Sequence, residues 1–346
     1  MTARRVSILF AIGIAVIALA VWVSSRDQSG ESSVAGTLVL PGLRGALNQV
    51  TQVRITKAGK TRTTLNRSAS DWIVGERGYP ADSGKLRKLL IDLASLKAVQ
   101  RKTRIASNYP VLGVQNVDSP GATGARLDIV SPGKTWSLIV GHSADSHNVY
   151  VRVVHSARSL LASPLILVNA DPKLWLDPAI LDITQDRLSE IEEHPAKGPA
   201  FSVSRAKKTQ ADFTVQGVPR GRKLTGADAA DSMGSALSNL TLTDVRKTTP
   251  PPSGTDLSHA VFKTFDGLTI EISGYEEAKS HYIDVTAAAT LKAADAEARQ
   301  INSRVHGWDY QIPGYRYEEI FQPLSALLQP LPTQKAAAVP HQTHAR

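Results

Sequence analysis

Cysteine is absent from the sequence. That absence removes disulfides, thiolate metal sites, cysteine nucleophiles and a lipidated cysteine. It says little about redox compartment, because a chain of 346 residues can build a core that needs no covalent staple. Several signatures of chemistry are missing too: H-E-x-x-H, the phosphate-binding lysine loop, and a strand–G-x-G-x-x-G–helix unit. No G-x-S-x-G elbow occurs; the nearest run, Met233-Gly234-Ser235-Ala236, lies within a stretch of helical periodicity. No basic segment interleaved with aromatics marks a nucleic-acid reader, so nucleic acid is not an expected partner. What remains is an apolar content typical of globular proteins and a length suited to two domains.

The N-terminus carries the strongest signal. Val6 to Val23 reads VSILFAIGIAVIALAVWV without a charge. At about 1.5 Å per residue in a helix, it just spans a hydrocarbon layer of roughly 30 Å. Arg4 and Arg5 precede it and by the positive-inside tendency stay in the cytoplasm. The expectation is a single-pass protein of the bacterial cytoplasmic (inner) membrane with its bulk outside, in the periplasmic or extracytoplasmic space. A cleaved signal peptide ending at Ala18-Leu19-Ala20 is the rival reading; against it, the apolar run continues past that site through Val21, Trp22 and Val23. Both readings export the rest of the chain.

The predicted organisation is therefore a cytoplasmic stub and anchor over 1–24, a polar tether over 25–37, repeat units over 38–170 and 171–329, and a disordered tail over 330–346. The repeat rests on landmarks in a fixed order. Strand candidates Val50–Lys57, Lys60–Leu65 and Asp71–Val74 lead to a helix capped by Asp82 or Ser83, with Leu86, Leu89, Leu90, Leu93 and Leu96 on one face. Strands Arg126–Val130, Trp136–Val140 and Val149–Val154 complete that unit. The second copy runs Leu188–Glu192, Ala200–Ser204 and Asp212–Val215. A helix from Thr225 and Asp228 with Met233, Leu237 and Leu240 follows, then a hairpin through Gly267 and a strand from Tyr282. The predicted fold is α+β: a transmembrane helix followed by two tandem related units, each an antiparallel sheet with one amphipathic helix.

Charge divides the copies. Pro41–Leu160 holds 18 Lys and Arg against 7 Asp and Glu, a net of +11, whereas Asp171–Gln329 holds 17 against 22, a net of −5. A basic, membrane-near unit suits anionic headgroups or an acidic partner; the alternative is charge spread over solvated faces. Candidate chemistry is thin. His142, Asp145 and His147 share one short loop and are the candidate metal ligands, with His155 following the next strand. The same loop also reads as a polar hairpin connection, and the matching loop of the second copy keeps no such set. Gly121-Ala-Thr-Gly124 reads as a turn. Glu192-Glu193, Glu276-Glu277 and Glu318-Glu319 could in principle offer a general acid and base, but neighbours on a strand point to opposite faces and seldom converge on one substrate, so the pairs read as solvated surface. Trp72, Trp136 and Phe213 are expected in the core.

Leu43–Ile55, Asp71-Trp72 before Gly78-Tyr79-Pro80-Ala81-Asp82, Tyr150-Val-Arg, Asp186-Arg187-Leu188 to Ile191, and Gly307-Trp308-Asp-Tyr-Gln-Ile-Pro313 with Leu324–Leu328 together resemble the bacterial family called domain of unknown function 4340. The resemblance runs from the anchor to about Leu328. It implies an exported accessory subunit beside an ABC-transporter permease or a gliding-type transport system, and it transfers no catalytic residue. The second copy departs from the first in its acidic balance and in Pro250-Pro-Pro252. The expected function is thus a non-catalytic, membrane-anchored interaction protein without a cofactor. A metal-assisted envelope hydrolase, or a small-ligand or glycan module between the repeats, are the alternatives.

Overall fold

Val53 and Ile55 alternate with polar neighbours in β1 (Gln52–Lys57), and that period of two sets the first sheet. Val53 pairs with Leu65 and Ile129, and Ile55 with Thr63 and Leu127, so one face is buried. The computed structural model describes residues 34–58, 62–69 and 71–330. The apolar run Val6–Val23, most of the tether and the tail from 331 lie outside them. Among the described residues no helix is long and apolar enough to cross a membrane.

The chain divides into two units between Asp177 and Pro178. The sequence placed the division at 170/171. The later position follows from Trp175, which is buried, donates its indole N–H to Asn169 O at 2.8 Å and accepts Asp82 N–H on its own carbonyl.

Unit 1 contains α1 (Leu43–Ala46), β1, β2 (Arg62–Ser68), β3 (Asp71–Val74), β4 (Tyr79–Pro80), α2 (Ser83–Ser95), β5 (Lys97–Arg101), α3 (Tyr109–Leu112), β6 (Ala125–Ser131), β7 (Lys134–Ser143), β8 (Val149–Val153) and β9 (Ser159–Ser163). The sheet order is β4-β3-β2-β1-β6-β7-β8-β9-β5, antiparallel throughout. Helix α2 starts where its cap falls: Asp82 accepts Lys85 N–H at 2.8 Å, and Leu86, Leu89, Leu90 and Leu93 are buried. Pro132-Gly133 turns β6 into β7, with Gly133 at φ 77°, the position that glycine fills without strain.

Unit 2 contains β10 (Ala179–Leu181), β11 (Leu188–His194), β12 (Phe201–Ser204), β13 (Thr214–Gln216), α4 (Asp231–Ser235), β14 (Leu240–Thr241), β15 (Asp244–Lys247), β16 (Ser258–Thr264), β17 (Leu268–Glu277), β18 (Ser280–Ala289), α5 (Asp295–Val305), β19 (Trp308–Ile312), α6 (Gly314–Ile320) and α7 (Leu324–Leu327). Its large sheet runs β13-β12-β11-β16-β17-β18-β19-β15. That order repeats unit 1 strand for strand, β4 being the one addition in unit 1. The architecture is α+β with antiparallel sheet predominating.

The helices break the symmetry. The helix expected from Thr225 shrinks to the five residues of α4. Gly234 lies against Phe213 and Gln185, where a Cβ would come within 2.6 Å of the phenyl ring, and Asn239 takes a left-handed φ of 48°. The chain then leaves the helix for β14, pairing Leu240 with Leu181. Met233, Leu237 and Leu240 are still fully buried, so the apolar spacing reported burial and not helix. The long helix of unit 2 is α5, between β18 and β19, with Ala298, Ile301 and Val305 inward. Trp136 and Phe213 are buried as expected, whereas Trp72 is only half-buried.

Candidate functional site

The face of the unit 1 sheet opposite its core is polar and basic. Period two on β1 puts Arg54 and Thr56 there, and register adds Thr64, Asp128 and Ser137. Part of this face is roofed by the connection between β5 and β6. Arg152, itself buried, fastens that roof: its Nε donates to Val114 O at 2.8 Å and its Nη2 to Asn116 Oδ1 at 2.6 Å. Burial pushes the Arg152 pKa down, and the Tyr109 ring stacks 4.8 Å from the guanidinium. Two glycines let the roof come this close. A Cβ at Gly141 would overlap the Leu112 carbonyl and sit 2.8 Å from Val114 Cγ1; one at Gly124 would overlap the Gly113 carbonyl.

Beside the roof a groove of about 900 Å³ stays open, lined by Arg54, Lys57, Arg62, Glu76 and the Val117–Gly121 loop. Glu76 is already engaged: it accepts Thr64 N–H at 2.9 Å and sits 3.9 Å from Arg62. Asp128, on the same face, accepts from Arg126 at 3.0 Å and from the Ser137 hydroxyl at 2.5 Å. Among the described residues neither Arg54 nor Lys57 makes an ion pair; Arg54 donates to Gln52 Oε1 at 2.8 Å. The groove therefore offers cationic donors to an anionic group, Arg54, Lys57 and Arg62 standing against Glu76 and Asp118 in its lining.

The candidate metal ligands turn to separate partners. His142 Nε2 lies 2.9 Å from Thr123 Oγ1, while its Nδ1 faces Val111 O at 3.3 Å. Asp145 closes its own turn, accepting from His147 N–H, Asn148 N–H and the Asn148 amide. Those bonds, with the Asn148 side chain leading, hold its carboxyl below the usual carboxylate range. His147 Nδ1 is spent on the Ser146 hydroxyl at 2.7 Å. His155 sits at a left-handed turn, φ 69°. Among the described residues no three metal-ligating side chains converge. The sequence placed these residues close along the chain, but an Asx-type turn uses up the carboxylate.

The matching face of unit 2 has the opposite sign. Lys263 donates to Glu190 at 3.0 Å and to Glu192 at 2.5 Å. Arg246 bonds Glu277 and the Tyr275 hydroxyl, both at 2.7 Å, and stacks 4.0 Å over Tyr282. The Tyr275 hydroxyl in turn donates to the buried Asp309 at 3.1 Å. His259 Nδ1 lies 3.2 Å from Ser273 Oγ, and Asp284 pairs with Ser273 across β17 and β18. This serine stands between the histidine and the aspartate, so it lacks the nucleophile–base–acid relay order of a hydrolase. Burial pushes the Asp284 pKa up, helped by the charge of Asp309.

Glu193 corrects the sequence reading. Its neighbour Glu192 is on the polar face as expected, but Glu193 points into the core, fully buried beside Phe201 and Ala260 in register, with neither carboxylate oxygen hydrogen-bonded. Burial lifts its pKa to about 9. The period-two rule itself carried the signal: Leu188, Ile191 and Glu193 are the inward set of β11 once its bulge is counted.

Residues 72–258 match the family described as Domain of unknown function (DUF4340), just over half of the chain and reaching from β3 of unit 1 to the start of β16 in unit 2. The chain belongs to the DUF4340 family. No curated protein and no solved structure matches it. The description of the DUF4340 family names no activity, so the reading of this member rests on its own faces and charges.

Proposed function

We propose that this DUF4340 protein is a non-catalytic accessory protein, held by a single N-terminal span at the cytoplasmic membrane with both units on the extracytoplasmic side. Its partner in this reading is a membrane protein, such as the permease of an ABC-type transport or envelope complex. The observation that carries the interaction role is the open cationic groove of unit 1, where Arg54 and Lys57 have no acidic partner among the described residues. Such a groove suits an acidic segment of a protein. The anchor is supported by the uncharged Val6–Val23 run behind Arg4 and Arg5.

Two features favour binding over catalysis. The unit 2 polar face spends its charged groups on one another, Asp145 and His147 are engaged within their own turn, and His142 turns to Thr123 and Val111. Fractionation tests the placement. The full chain should stay with membranes through alkaline carbonate extraction, and protease added from outside should degrade both units of intact spheroplasts. Release by carbonate, or protection of both units until the membrane is lysed, would contradict it.

A further inference from the structure

The tether enters unit 1 at a defined place. Gly36 N–H bonds Ala98 O and Ala98 N–H bonds Thr37 O, both at 2.9 Å, so the first described residues lie along the outer edge of β5. Leu38 faces Lys97 in antiparallel pairing, which carries the chain N-terminal of Gly36 toward the Arg101 end of that strand. About ten residues separate Val23 from Val34. Fully stretched they reach roughly 35 Å, and as a coil roughly 17 Å.

That same end of the sheet gathers cations. Lys102 N–H donates to Ser159 O, and Arg158 Nη1 donates to Lys102 O at 2.9 Å, which brings the Arg158 segment against the end of β5. Partial burial, then the nearby Arg104 and Arg101 charges, lower the Arg158 pKa. No acidic residue occurs between Leu93 and Val117 or between Ser146 and Ala170, the two stretches that hold β5 and β9. Apolar side chains stand exposed among these charges: Leu38, Val99 and, at 62 % exposure, Ile105.

We propose that this edge of unit 1, through Arg101, Lys102, Arg104 and Arg158 with Val99 and Ile105 between them, docks on the anionic phospholipid headgroups of the membrane that the anchor spans. The inference rests on the anchor reading above. The tether length keeps the patch within reach of the bilayer, and an interface of cations and apolar side chains fits the headgroup layer of an anionic leaflet. Docking fixes the orientation of unit 1, so the groove is presented at a set height above the membrane.

The absence of cysteine permits a clean test. The full chain carrying Ala106→Cys, an exposed position beside Ile105, is labelled with an environment-sensitive dye. It is then reconstituted into vesicles of phosphatidylcholine alone or mixed with phosphatidylglycerol. Emission should shift to the blue only in the anionic vesicles. Raising the salt concentration should reverse the shift, and Arg101→Gln with Arg104→Gln should lower the docked-to-free ratio about fivefold per cation removed. If the protein floats with both vesicle types and the emission is the same in both, docking is overturned while the anchor stands. A shift that requires added envelope protein assigns the patch to an acidic protein instead and also overturns docking. Flotation with neither vesicle overturns the anchor, and docking with it.

Discussion

Replacing Glu193 with glutamine raises the stability of unit 2 by about 3 kcal/mol at pH 7 and changes it little at pH 4.5, the ordinary pKa of the unfolded side chain. The carboxyl is fully buried without a hydrogen-bond partner, so the folded state keeps it protonated up to about pH 9. Above pH 4.5 the unfolded chain releases that proton and the folded chain does not. The unfolded state then binds fewer protons, and stability falls as pH rises from 4.5 to about 9. The amide keeps the shape of the acid and removes the titration. Hydrogen exchange of the β11 and β16 amides reads the local transition in the full chain. The wild type should lose protection steadily between pH 5 and 8.5, after correction for the intrinsic exchange rate, while Glu193→Gln should stay level. A wild-type profile that is flat across that window would contradict a protonated Glu193. Glu193→Met, which also removes the unpaired polar atoms, should be more stable still at neutral pH.

The second large effect is steric. Gly141→Ala drives a methyl group into the Leu112 carbonyl and toward Val114 Cγ1, and backbone cannot yield as a flexible side chain does. A loss of about 2–4 kcal/mol is expected in unit 1, together with detachment of the roof that Arg152 fastens. Gly45→Ala is the contrast. It lies in α1 with nothing within 4 Å of the added carbon, and alanine there should be neutral or gain up to about 1 kcal/mol. Thermal unfolding of both variants separates the two cases. Equal midpoints would mean that the roof is not packed on the sheet as described.

Much of the fold was legible in the sequence because sheet patterning is local. Val53 with Ile55, and Leu127 with Ile129, declare their faces within a few residues. The leucine spacing and Asp82 cap of α2 do the same for a helix. The repeat was legible as an order of landmarks, which is how the two sheets match. Less legible were elements defined by distant partners. Strands β5 and β9 are short, and β5 gains its place from pairing with β9 and with the 36–39 segment. Met233, Leu237 and Leu240 kept a helical spacing although the chain turns, because each must be buried whatever the backbone does. The Ala298, Ile301 and Val305 spacing of α5 was present in the sequence but lies in a polar, alanine-rich stretch. For the candidate site, the sequence showed a basic balance in unit 1 but neither the groove nor its residues; which cations lack acidic partners depends on where the fold places Glu76 and Asp128. Glu193 reads as surface only by its charge: it stands two residues from the buried Ile191 in regular register, on the same inward face of β11.

The most direct measurement is crosslinking of the full-length, tagged protein in its native membrane, followed by mass spectrometry of what is captured. Permease subunits should be recovered. They should be lost when the Val6–Val23 segment is exchanged for an unrelated span, and should fall sharply in Arg54→Glu with Lys57→Glu, which inverts the groove. Recovery of no membrane protein, or the same recovery from all three versions of the chain, would contradict an accessory protein that works through its anchor and its groove.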